Sequence, residues 1–294
     1  MAKNKLIITL HANGPVKSAN PHMAFRPEDI AEQAIACWRQ GASVVHYHAC
    51  DPATGAPSAD PAVYAEIERR IRQECDIITF PTLGALDAPS AGRVSHILEL
   101  AKDPATRPDC IPVDMLTTNL DAYDADKRAF TSHDRIYANT TRDWFDIAER
   151  VMGAGVKPVP MLWNIAGVRV TEKLVDMGLF KTPLFCEVSV FGEAYLEFGH
   201  PATVKGLDAV VDFFPPGADW RWTVSVIGAN AFSILANAIE RGGDVAIGLH
   251  DYDYPELGLP TNAELVARVA DLARAMGREV ATAAEAREIL GMPR

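Results

Sequence analysis

Ala42-Ser43-Val44-Val45-His46-Tyr47-His48 is a short apolar, β-branched run that ends in two imidazoles, directly before the turn-rich Asp51-Pro52-Ala53-Thr54-Gly55. The stretch before it, 27–40, opens with Pro27-Glu28-Asp29 and carries apolar residues at helical spacing. A helix, a strand and a loop therefore follow one another within thirty residues. The same sequence of signals repeats along the chain, and the repeat decides the fold.

Strand signals fall at 6–11, 43–48, 76–81, 111–114, 157–162, 184–190, 222–227 and 244–250. Amphipathic stretches follow them at 27–40, 60–74, 92–102, 142–153, 166–178, 203–213, 231–241 and 262–276. Eight βα units match the (β/α)8 barrel, an α/β fold of about 250 residues with eight parallel strands. A doubly wound sheet is the competitor, but the first βα turn, His11-Ala12-Asn13-Gly14-Pro15, has no GxGxxG. With no linker or low-complexity segment, the 294 residues read as one domain. A last helix at 283–290 lies outside the repeat, and the long connection 115–141 reads as a lid over the active face.

The charge of −11, from 39 acidic and 28 basic residues, argues against nucleic acid or an anionic membrane as partner. No apolar run approaches the roughly 20 residues of a membrane helix. The opening residues lack a signal-peptide pattern, so a cytoplasmic protein is expected. Cys37, Cys50, Cys75, Cys110 and Cys186 are odd in number and include no CxxC, which disfavours disulfides and zinc ribbons.

In an extended strand, residues i and i+2 share a face, so His46 and His48 can reach one metal ion from a single strand end. Barrel chemistry sits where strands end. In the eighth strand segment, Ala246, Gly248 and His250 share the inward face, and His250 lies two strands from the pair, roughly 10 Å away by strand spacing. Two His from one strand and a third from elsewhere, with a position left open, is the pattern of a catalytic zinc; other divalent transition metals also accept imidazole. His11 caps the strand between them and is a further ligand or a donor behind the ligands. Asp251, next to the third ligand, is the nearest candidate for a general base. Thr82 and Gly84 after the third strand, Asn119 after the fourth, and Gly228-Ala229-Asn230 after the seventh face the same end as substrate-binding candidates. Gly228 and Asn230 open a helix whose free N–H groups suit a carboxylate or phosphate. Cys50 lies beyond the strand, and His22, His96, His133 and His200 receive no role.

The chain resembles the β-keto acid cleavage enzymes, the family typified by 3-keto-5-aminohexanoate cleavage enzyme, as a divergent member. The resemblance spans nearly its whole length. It is carried by Pro27-Glu28-Asp29-Ile30-Ala31, by 41–48 with Asp51-Pro52 and 55–58, by Asp114-Met115-Leu116-Thr117-Thr118-Asn119, by Gly248-Leu249-His250-Asp251, and by 262–268 with 286–290. It implies a homo-oligomeric TIM barrel, dimer or tetramer, that binds zinc and condenses a β-keto acid with acetyl-CoA, giving acetoacetate and a new CoA thioester. By position it implies His46 and His48 as ligands, His250 where the family has a ligand Glu, and Asp251 as base. Four positions depart from it: Ala246 and Cys50 stand where the family has Arg, Pro81 where it has Ser, and the loop 13–15 lacks an acidic residue. A zinc hydrolase or hydratase of a small carbonyl compound, working without CoA, is the alternative.

Overall fold

The eight barrel strands are β1 (Ile8–His11), β2 (Val44–Tyr47), β3 (Ile78–Pro81), β4 (Cys110–Asp114), β5 (Lys157–Leu162), β6 (Leu184–Phe191), β7 (Trp220–Ile227) and β8 (Asp244–Ile247). They come from a computed structural model that describes residues 4–14, 18–83, 90–192 and 197–292. All the pairings are parallel, in the order β3-β2-β1-β8-β7-β6-β5-β4. The two outer strands of that order meet through Asp109 N–H to Thr79 O (3.2 Å) and Thr79 N–H to the Asp109 carboxylate (2.9 Å), so the sheet is a near-closed barrel.

Helices fill the outer layer: α1 (Pro27–Gln40), α2 (Pro61–Glu74), α3 (Ser90–Arg93), α4 (Ser95–Leu100), α5 (Thr141–Gly153), α6 (Ile165–Asp176), α7 (Val204–Val211), α8 (Phe232–Glu240), α9 (Asn262–Ala275) and α10 (Ala283–Ile289). Pro at the first turn starts α1 and α2, where its missing N–H has no partner to lose. Reciprocal Thr–Asp and Thr–Glu caps start α5, α9 and α10. The stretch 92–102, expected as one helix, begins earlier and divides into α3 and α4 around Val94.

Strand alternation sorts the core into two parts. Leu6, Ile8, Leu10, Val45, Tyr47 and their counterparts face the helices, while Ile7, Val44, Ile78, Cys110, Val159 and Phe185 face the bore. Helix α10 lies outside the repeat yet is not peripheral. Ala286, Ile289 and Leu290 join the bore cluster, and Lys157 Nζ donates to Leu290 O (3.1 Å), so α10 plugs the end where the strands begin.

The opposite mouth carries the connection 115–141. It contains two short hairpins, Thr118–Asn119 with Ile136–Tyr137 and Tyr123–Asp124 with Ala129–Phe130. Among the described residues no helix is long and apolar enough to cross a membrane.

Candidate metal centre

Register sets the centre: His11 pairs with His46 across β1 and β2, and His46 pairs with Phe80 across β2 and β3. His46 shares the inward face of Val44, and His48 follows just past the strand. The eighth strand is shorter than its sequence signal: β8 ends at Ile247, so His250 sits in the turn beyond it rather than on the strand. That turn is tied down. Leu249 N–H donates to Asn262 Oδ1 (2.9 Å), while Asn262 Nδ2 donates to Ala12 O (2.8 Å), so one buried amide clamps the segments after β1 and β8 together. Asn13 does the same for β2, donating to His48 O (2.9 Å) and accepting from His48 N–H (3.1 Å). Asn13 and Asn262 were visible only as a turn residue and a helix start.

The roughly 10 Å of strand spacing is closed by the side chains leaning inward. Ligand atoms of His46, His48 and His250 all lie within 4.8 Å of one another. The His48 and His250 rings stack with centroids 5.0 Å apart, and His46 Nε2 is 3.2 Å from His48 Nε2. Two of the three rings are held from behind at the outer nitrogen: His46 Nδ1 bonds Phe80 O (2.8 Å) and His250 Nδ1 bonds Asp251 Oδ1 (2.7 Å). In His46 and His250 this fixes which nitrogen faces the centre. Burial, with neighbouring His11 and His250, holds His46 well below the usual imidazole range. Burial, His250 and His46 do the same for His48. Imidazole nitrogens gathered this closely suit a divalent transition metal.

His11 lies behind this group. Its Nδ1 is 2.9 Å from Asp251 Oδ1 and its Nε2 is 3.4 Å from Glu187 Oε2. Burial opposes its charge, but Asp251 and Glu187 outweigh it and push the ring up to about 10. Burial likewise opposes ionisation of Asp251, and His11 and His250 hold its carboxyl well below the usual range. Ala246, where the resemblance has an Arg, is buried; the cation that reaches Asp251 comes from His11 on the adjacent strand. Gly248 permits the approach, since a Cβ there would stand 1.9 Å from His11 O.

The remaining candidates are spread around the mouth. Thr82 follows β3, with its N–H on Tyr47 O (3.0 Å) and its carbonyl accepting from His96 (3.1 Å). Asn119 is exposed on a hairpin and donates to Asp121 (3.3 Å). The Gly228 N–H is engaged by Asp251 O (2.8 Å). Asn230 accepts from Phe232 N–H (3.0 Å) and donates to Glu256, so its side chain serves the start of α8. Gly84 and Pro15 lie outside the described residues.

Glu187 was missed by the sequence reading. It sits in the middle of the apolar run 184–190, and an ionisable residue inside a buried strand was the available signal.

The fold and site together are those of a near-closed parallel β/α barrel with, at its C-terminal mouth, a three-histidine group that could hold a metal ion and a paired carboxylate beside it. Its family is shown by sequence: the model for beta-keto acid cleavage enzymes matches residues 5–292, and the chain belongs to that family. Among curated proteins, the 3-keto-5-aminohexanoate cleavage enzyme of Acetoanaerobium sticklandii is 30% identical over 98% of both chains. The 3,5-dioxohexanoate:acetyl-CoA acetone transferase of Paraburkholderia graminis is 28% identical over 98% of this chain and 96% of its own. The 3-dehydrocarnitine:acetyl-CoA trimethylamine transferase of Rhizobium meliloti is 27% identical over 94% and 92%. Among solved structures, apo ObcA superposes with a TM-score of 0.73 at 15% identity, covering 92% of this chain and 66% of that one, a likeness of fold.

Proposed function

We propose that this protein is a zinc-dependent β-keto acid cleavage enzyme that condenses a β-keto acid with acetyl-CoA, giving acetoacetate and an acyl-CoA. The observation that carries it is the three-imidazole cluster of His46, His48 and His250 with Asp251 attached to its rim. A zinc ion held there would act as a Lewis acid on the keto and carboxylate oxygens of the substrate.

Asp251 is the base. Its Oδ1 is held by both His11 and His250, which keeps the carboxylate ionised and aims its second oxygen without a torsional search. Asp251 takes a proton from C2 of the β-keto acid, and that carbon attacks the acetyl carbonyl of acetyl-CoA, expelling CoA thiolate; the thiolate then adds to the C3 ketone and the C2–C3 bond breaks, its electron pair taking the proton back from Asp251 at C2, which leaves acetoacetate and the acyl-CoA. Thr82, Asn119, Gly228 and Asn230 are offered as substrate contacts around the mouth, with Asn119 on the hairpins that cover it.

The family's curated relatives bear names of acetyl-CoA-dependent keto acid transferases, which supports the co-substrate. Incubating the zinc-loaded protein with a panel of β-keto acids and acetyl-CoA tests the reading: acetoacetate should appear from at least one acid, and release from none removes it. Three imidazole ligands also suit activation of water, so a hydrolase or hydratase is the second reading; turnover undiminished by omitting CoA would select it. A cytoplasmic homo-oligomer is part of the same proposal.

A further inference from the structure

The end of the barrel where the strands begin holds a cleft of about 840 Å³, bordered by the ends of α2 and α5, the loop before β4, the first residue of β5 and α10. That size lies within the range of small-molecule sites. Five cations line it, Arg72, Arg107, Lys157, Lys181 and Arg287, against two acids, Asp76 and Asp109. In a chain of net charge −11 this is a local reversal of sign. Between the charged groups the walls are apolar, from Met152, Val156, Pro104 and Met292. Helix α10 plugs the bore here, so the cleft is separate from the mouth that carries the imidazoles.

The two acids are matched by other groups than Arg107 and Lys181. Asp109 takes Arg287 at 2.6 Å and 3.0 Å, with Arg72 at 3.6 Å. The Asp76 carboxylate accepts from Trp38 Nε1 (3.0 Å). Arg107 gives only its Nε, to Ala101 O at 3.4 Å, and neither its terminal nitrogens nor Lys181 Nζ has an acceptor among the described residues. Lys157 Nζ donates to Pro183 O (2.9 Å) and Leu290 O (3.1 Å), which leaves one of its three N–H groups over. Lys157 also stands between the other two. A Cβ on nearby Gly155 would lie 3.4 Å from Arg107 Nη1, and the Pro183 carbonyl that Lys157 holds follows closely on Lys181 in the chain.

We infer that this cleft is a binding site for a phosphate ester of nucleotide size, with its phosphate on Arg107, Lys157 and Lys181 and its base against Met152, Val156 and Met292. Donors from three separate cations suit the dianion of a phosphate monoester better than the single charge of a carboxylate. The cleft, at about 840 Å³, is far larger than a bare phosphate fills, and its apolar walls suit a nucleobase rather than a polyhydroxy body. The site is independent of the proposed reaction, because the cleft and the imidazoles lie at opposite ends of the barrel.

Calorimetric titration of the full chain with adenosine monophosphate reads the site directly. Saturable binding is expected, about tenfold tighter than that of ribose 5-phosphate, inorganic phosphate or adenosine, each of which lacks one part of the ligand. Arg107→Gln and Lys181→Gln should each weaken the nucleotide about tenfold, the loss of one charge-assisted contact. Both side chains lie at the surface of the fold, and each variant is checked for a native circular dichroism spectrum. Arg274→Gln, on the exposed face of α9, should bind as the unaltered protein does. No saturable binding at millimolar nucleotide overturns the site. Equal affinity for inorganic phosphate or ribose 5-phosphate overturns the nucleotide, and full affinity in both cleft variants places the ligand elsewhere and overturns the assignment. A change of oligomeric state in those variants on sedimentation, with no nucleotide bound by the unaltered protein, would make this face a contact between copies of the chain and would equally remove the site.

Discussion

His11 Nδ1 lies 2.9 Å from Asp251 Oδ1 although 240 positions separate the two residues in the chain. Adjacent parallel strands β1 and β8 bring them together, and Gly248 lets the backbones close. The pair gives the proposed base a fixed cation, and its consequences can be measured in several ways.

Replacing His11 by Ala removes the cation beside Asp251. The kcat/KM for keto acid cleavage should fall by about two orders of magnitude, a size typical of a group that orients a general base. Metal content should stay near that of the unaltered protein, because His46, His48 and His250 remain. Steady-state kinetics with elemental analysis of the same sample checks both halves, and unchanged kinetics would remove the role.

The same pair makes stability depend on pH. His11 is raised in the folded state to about 10. Its contribution is therefore complete below the unfolded imidazole value of about 6.5 and is lost as pH rises through the folded value. Metal-free protein should lose melting temperature between about pH 6.5 and pH 10. The loss should be smaller in His11→Ala, compared by thermal unfolding across that range. Parallel profiles for the two proteins would contradict it.

His46 and His48 are held well below the usual imidazole range, so protons compete weakly for their nitrogens. Zinc affinity should stay level as pH falls from 8 toward 6.5, where a solvent-exposed histidine site would already weaken. Substituting His48 by Ala should lower zinc affinity at least tenfold. Competition with a chromophoric chelator reads both effects.

Two glycines near the centre should respond differently to Ala. At Gly248 the added Cβ would meet His11 O at 1.9 Å, main chain that cannot move without separating β1 from β8. A loss of about 3 kcal/mol or failure to fold is expected. At Gly14 the new atom would meet the His250 ring at 2.9 Å, a side chain that can turn. Gly14→Ala should fold with a cost of about 1 kcal/mol and show its effect in zinc affinity instead. Denaturant titration paired with metal titration separates the cases; weakened folding with normal metal binding in Gly14→Ala would count against this placement of His250.

Much of the architecture is legible in residues 42–48 and their repeats, because alternation and turn chemistry are local properties written every two or four residues. The same locality explains the errors at the edges. The strand signal ran through Gly248 and His250, yet β8 stops at Ile247, since the turn beyond is set by the Asn262 amide, a contact no local pattern announces. The connection 115–141 read as a lid; its two hairpins became visible only when strands of two residues paired across the loop. Helix α10 was visible as a helix, but its place as the plug of the bore depends on strand starts far away in sequence.

The sequence by itself determined the eightfold alternation, the three histidines and the acid beside the last of them, because each is encoded within a few neighbouring residues. Only the tertiary structure decided that His11 faces Asp251 on one side and Glu187 on the other, and that Glu187 and Asp114 share a row across from the imidazoles. The reason is physical. Pairing register and closure of the barrel bring together side chains from β1, β4, β6 and β8, and the charge of each depends on the burial and neighbours acquired there.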